Sequence, residues 1–150
     1  MLPIELTLAA SPAFLVTLFS AIRLANFNLD TRQTENFIGM PTPSVAMFAV
    51  GLLLIFHYDS FGLADLVSSP WFVYLTIPIL CWLMVAEFPM FSLKFKKRSW
   101  ADNKVRIIFA LTALLMGFLL KEAAFSAIII AYLFFTVINN FKNGWSVNDW

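Results

Sequence analysis

The sequence predicts an all-α integral membrane protein: a bundle of about five transmembrane helices, N-terminus outside and C-terminus cytoplasmic. Three observations predict it. First, 61% of the 150 residues are hydrophobic and 13% are charged, against roughly 45–50% and about 25% in soluble domains; mean hydropathy is +0.82. Second, the apolar residues fall into long runs rather than an alternating pattern. No barrel alternation is visible, and helices are the default, because lipid offers no partner for open backbone groups. Third, the basic residues are gathered on particular connections.

The first apolar run is expected from about Leu8 to Phe27, the second from Ser44 to Tyr58 and the third from Pro70 to Phe91. The fourth spans Val105 to Leu120 and the fifth Phe125 to Phe141. About 20 residues cross a hydrocarbon core at 1.5 Å each, so the second and fourth runs need part of their flanks to span it. Pro43 and Pro70 suit the first turns of their helices. Pro78 and Pro89 fall inside or near the end of the third run and are expected to bend it. No internal repeat or linker divides the chain, which reads as one domain.

Orientation follows the basic residues. The connection SLKFKKRSWADNKVR carries Lys94, Lys96, Lys97, Arg98, Lys104 and Arg106 and is expected in the cytoplasm. The connection DSFGLADLVSS carries Asp59 and Asp65 and no Lys or Arg, as expected outside. Alternation places the N-terminus outside. The opening MLPIELTLAASP lacks the basic n-region of a signal peptide. An outside start is natural if an odd number of spans once preceded Met1.

The lone cysteine, Cys81, cannot form an intrachain disulfide and reads as a small core hydrophobe. His57, the only histidine, reads as an interfacial residue, and no His/Cys cluster suggests zinc.

The stretch RLANFNLDTRQTENFIGMPTP, Arg23 to Pro43, departs from the apolar pattern. On a helix Arg23, Asn26 and Phe27 share one face. The plain reading makes Arg23 and Asn26 interfacial anchors, with the guanidinium snorkelling to the headgroups. The functional reading brings Arg23, Asn26 and Asn28 together at the cytoplasmic mouth of the bundle. A guanidinium there matches a phosphate or carboxylate, and Gly39, Pro41 and Pro43 shape the loop returning to the membrane.

SAIRLANFNLDTRQTENFIGMPTP, Ser20 to Pro43, resembles a segment of bacterial phosphatidylserine synthases that reads approximately R-L-A-R/K-F-N, then F-x-G-L-P-x-P. EFPMFSLKFKKRSWADNKVR, Glu87 to Arg106, resembles their later cytoplasmic loop. The two occur in order across nearly the whole chain. The first is fairly specific and the second supportive. These synthases are CDP-alcohol phosphotransferases. The resemblance implies transfer of a phosphatidyl group from CDP-diacylglycerol to L-serine with release of CMP, in the bacterial cytoplasmic membrane, by a multi-pass homodimer. It also implies a divalent cation, Mn or Mg, with a carboxylate to take the hydroxyl proton. No nucleic-acid partner is expected.

The family's metal-binding signature, D-x2-D-G-x2-A-R-x8-G-x3-D-x3-D, does not occur in this sequence. DSFGLAD, Asp59 to Asp65, has the wrong spacing and reads as a solvated loop. In the family the signature precedes the R-L-A-x-F-N stretch. Residues 1–150 are therefore expected to be the C-terminal membrane portion of such an enzyme, without its catalytic helices and inactive alone. No catalytic or metal-binding residue is assigned. Arg23 and Asn28 match the family motif and are expected to contact the anionic substrate. Asn26 stands where many relatives carry a base, which weakens one contact.

Lys94, Lys96, Lys97 and Arg98 read first as positive-inside residues touching anionic lipid, and second as a surface steering CDP-diacylglycerol. Glu87 is an acid at the inner end of the third run, with Lys94 or another base as its expected partner. Two alternatives stand beside the enzyme: a non-catalytic remnant or partner subunit of a split enzyme, and a CDP-alcohol phosphotransferase with another acceptor. A small transporter is disfavoured because Arg23 and Glu87 lie near one face and no charge lies at mid-depth.

Overall fold

The computed structural model describes residues 8–30, 37–90 and 100–143. A 3₁₀ turn, Leu8–Ala13, leads into α1, Phe14–Leu29. The chain continues through β1, Phe37–Ile38, and α2, Thr42–Tyr58. Then come the short α3, Ala64–Ser68, α4, Pro70–Val85, and β2, Pro89–Met90. The last elements are α5, Trp100–Leu120, and α6, Ala124–Asn143. Among the described residues, two stretches are long and apolar enough to cross a membrane, Ala10–Leu29 and Val105–Phe141, and the second comprises most of α5 and α6. Helices α2 and α4 are apolar but shorter.

Local chemistry accounts for the ends of these elements. Pro43 lies in the first turn of α2, where a missing N–H costs nothing. α2 stops where Asp59 turns left-handed at φ 47°, and the Asp59 carboxylate accepts the Ala64 N–H at 3.0 Å. Ser69 caps α4 by accepting the Phe72 N–H at 3.3 Å, with Pro70 following it. Between α5 and α6 the 3₁₀ turn Lys121–Ala123 breaks the apolar run, with Lys121 at φ 46°. The two helices then pack on each other through Phe109 against Tyr132 and Phe135, centroids 5.7 and 5.9 Å apart.

Two expectations about the third run need correction. The helix ends at Val85 rather than Phe91, because Ala86 turns extended at φ −63°, ψ 137°. Pro89 is thus outside the helix, in β2, and only Pro78 lies within it. The fold is also not purely helical: β1 and β2 pair antiparallel, Phe37 opposite Met90 and Ile38 opposite Pro89.

Helix α2 meets α6 where Gly51 faces Ser126. A Cβ on Gly51 would collide with the Ser126 hydroxyl and backbone nitrogen, and the Ser126 hydroxyl donates to the Phe48 carbonyl at 2.9 Å. Small residues permit such close backbone approach between apolar helices. The core gathers Met40, Val45, Leu80, Met84, Met90, Phe109, Ile129 and Tyr132. Met40, Met84 and Met90 are its largest fully covered apolar side chains. They meet where the strands join α4, and unbranched thioethers suit so irregular a junction. Large apolar side chains also face outward, with Trp71 87% and Phe118 84% exposed.

Candidate functional site: a polar cavity at the end of α1

Arg23 lies two turns before the end of α1 and is 4% exposed. It is the one residue of that helix that is buried. Its guanidinium carbon stands 5.6 Å from the centre of the Phe27 ring, four residues on, a cation–π arrangement that the helical repeat places automatically.

Arg23 borders two cavities. The larger, about 390 Å³, is walled by Asn26, Leu29 and Asp30 of the α1 end, Ile38 of β1, and Met84 to Glu87 at the end of α4. The smaller, about 200 Å³, is apolar and lies among Leu24, Phe27, Pro41, Thr42 and Pro43. Arg23 thus borders both a chamber with Asp30 and Glu87 in its wall and a smaller, more apolar one.

The wall opposite α1 is held by backbone hydrogen bonds. The Gly39 N–H donates to the Phe88 carbonyl at 2.8 Å, and the Met40 N–H to the Leu83 carbonyl at 2.8 Å. Gly39 sits at φ 76°, and a Cβ there would lie 2.7 Å from the Met84 carbonyl oxygen and 2.9 Å from that of Ala86. Only glycine meets both demands, left-handed torsion and close approach. The Phe88 N–H donates back to the Ala86 carbonyl at 2.8 Å, closing a tight turn around Glu87. That turn leaves Glu87 exposed at the cavity edge. Pro41 is extended at φ −63°, ψ 138°, and Pro43 follows in the first turn of α2.

The sequence-derived candidates divide accordingly. Arg23 and Asn26 line the same cavity. Asn28 is exposed and lines neither cavity, because its position on α1 turns it away from the Arg23 face. Lys94, Lys96, Lys97 and Arg98 lie outside the described residues. Asp30 joins the site unforeseen; in the sequence it looked like the start of a polar connection. The helix continues to Leu29, with the Asp30 N–H bonded to the Asn26 carbonyl at 3.0 Å, and this keeps its side chain one turn from Asn26.

Among the described residues no group of three or more His, Cys, Asp or Glu side chains gathers to hold a metal ion. Asp30 and Glu87 alone do not make the oxygen-rich shell a divalent cation needs, so the residues here do not fit the Mn or Mg implied by the resemblance. A planar five-donor cation, an amide and two carboxylates border one polar space, a mixed set of donors and acceptors that suits a group carrying charges of both signs.

No protein-family model, curated protein or solved structure matches this chain.

Proposed function

We propose that the chain is the substrate-facing membrane portion of a CDP-alcohol phosphotransferase of the phosphatidylserine-synthase type, with Arg23 holding an anionic group of the substrate. The observation that carries the reading is the buried Arg23 between a polar and an apolar cavity at the end of an apolar helix. An amphiphile with a phosphate at its head matches that division. The guanidinium would take the phosphate in a forked contact, and the Leu24–Pro43 side would take the adjoining hydrocarbon. Asn26 adds a hydrogen-bond donor to the same chamber. The motif resemblance from Ser20 to Pro43 points to CDP-diacylglycerol as that amphiphile and L-serine as the acceptor. Proton removal and metal binding belong to groups outside this chain's described residues.

In this reading the helices span the bacterial cytoplasmic membrane, N-terminus outside and C-terminus inside. The outward apolar side chains of α1, α4 and α5 support it, since they would be costly in water at ~25 cal/mol per Å².

The test is binding of CDP-dioctanoylglycerol to the full chain in lipid nanodiscs. Wild type is expected to bind, and Arg23→Gln to bind at least about tenfold more weakly, as loss of a charge-assisted contact implies. Equal affinities would sink the reading.

A second reading, a non-catalytic partner subunit, is favoured by α5. Along one face, Ala110, Ala113 and Gly117 line an apolar groove of about 780 Å³. Co-purification with a separate protein carrying D-G-x2-A-R would select a split enzyme.

A further inference from the structure

Two polar side chains of α6, Thr136 and Asn140, are completely covered. Thr136 satisfies itself within its own helix, its hydroxyl donating to the Tyr132 carbonyl at 2.8 Å. Asn140 reaches across the fold. Its Nδ2 donates to the Pro89 carbonyl at 2.8 Å, a residue 51 positions away.

That bond lands on a sensitive place. Pro89 has no N–H, so its carbonyl is the one backbone polar group it can offer a partner. Pro89 pairs with Ile38, which lines the Arg23 cavity. Two residues before Pro89, Glu87 lines the same cavity, and Phe88 between them accepts the Gly39 N–H. The two-residue strands are too short to hold their register alone. Asn140 bonds α6 to them directly, beside the apolar packing of Met90 in one cluster with Ile129 and Tyr132.

The other half of the amide sharpens the argument. Asn140 Oδ1 is buried with no hydrogen-bond partner among the described residues. Turning the amide over would set two oxygens against each other, so the donor must face Pro89. A leucine of similar size would fill this position without stranding an acceptor. The bond to Pro89 is what the amide supplies that leucine cannot.

We propose that Asn140 is a positioning residue for the Arg23 cavity: from α6 it clamps the β1–β2 strap that forms the cavity wall carrying Ile38 and Glu87. The consequence for ligand affinity rests on the anion-binding reading of that cavity; the mechanical coupling does not.

The experiment uses the full chain in nanodiscs, with two readouts: hydrogen exchange at the Gly39 and Met40 amides, and affinity for CDP-dioctanoylglycerol. Asn140→Leu is expected to speed Gly39 exchange at least about tenfold and weaken binding about fivefold or more, with exchange in α2 and α4 unchanged. Asn140→Gln, which keeps the donor, is expected to restore part of both. Thr136→Val, which removes the neighbouring buried hydroxyl, is expected to change neither. Arg23→Gln is expected to lose affinity while leaving Gly39 exchange as in wild type. Wild-type Gly39 exchange in Asn140→Leu would overturn the proposal. So would acceleration spread evenly through α2 and α4, the mark of a general loosening. If wild type binds no nucleotide lipid, the functional reading fails, and the exchange measurement alone decides whether Asn140 holds the strap.

Discussion

Gly39 and Met84 approach so closely that a Cβ on residue 39 would lie 2.7 Å from the Met84 carbonyl oxygen. The end of α4 and the loop into α2 are therefore in backbone contact, and the Arg23 cavity is bounded by main chain as much as by side chains.

Gly39→Ala is expected to destabilise the fold by about 2 kcal/mol or more, from left-handed strain plus the carbonyl clash. Gly62 separates these terms. It too has positive φ, at 69°, but nothing lies within 4 Å of an added Cβ. Gly62→Ala is expected to cost about 1 kcal/mol, the strain alone. Reversible unfolding in mixed micelles measures both; equal losses would disprove the close approach.

A second glycine pair tests the packing of α2 on α6. Gly51→Ala forces a methyl into Ser126 and is expected to cost about 1–3 kcal/mol, as overpacking does. Gly117→Ala meets nothing within 4 Å and is expected to be neutral or to stabilise α5 by up to about 1 kcal/mol. The same unfolding assay reads both variants.

Ser126→Ala removes the hydroxyl bonded to the Phe48 carbonyl while keeping the small side chain beside Gly51. The loss is expected to be modest, about 0.6 kcal/mol, because the i−4 bond of the α2 backbone remains available to that carbonyl. Comparison with Gly51→Ala in a double-mutant cycle checks it: the two effects should not add.

Topology can be read with single cysteines after Cys81→Ala. In intact cells a membrane-impermeant maleimide is expected to label Asp65→Cys, and to label Lys142→Cys only after lysis. The reverse pattern would invert the orientation and move the Arg23 cavity to the outer face.

The longer helices were legible as apolar runs, some with a residue that has a physical reason to bound them, whereas the five-residue α3 formed where only a solvated loop was expected. Pro43, Ser69 with Pro70, and Asp59 mark three boundaries of the longer helices. The end of α4 was not legible. The apolar composition continues through Phe88 and Met90, while the backbone turns at Ala86 to meet Gly39, a contact between distant segments that hydropathy does not encode. The strands were invisible for a related reason, since two residues are too few to show alternation. At the cavity, Arg23 and Asn26 followed from helical spacing alone. Asp30 required knowing that α1 runs to Leu29, and Asn140 required the long-range bond to Pro89.

The methionine junction bears on how this wall responds to strain. Met40, Met84 and Met90 come from the loop, the helix and the strand that meet there. None is branched at Cβ, so each can change rotamer without moving its backbone. A shift of the strap by a fraction of an ångström can then be taken up by thioether rotation instead of opening a void. Isoleucine at the same three positions would match the greasiness but make the junction brittle, tolerant of one geometry and no other.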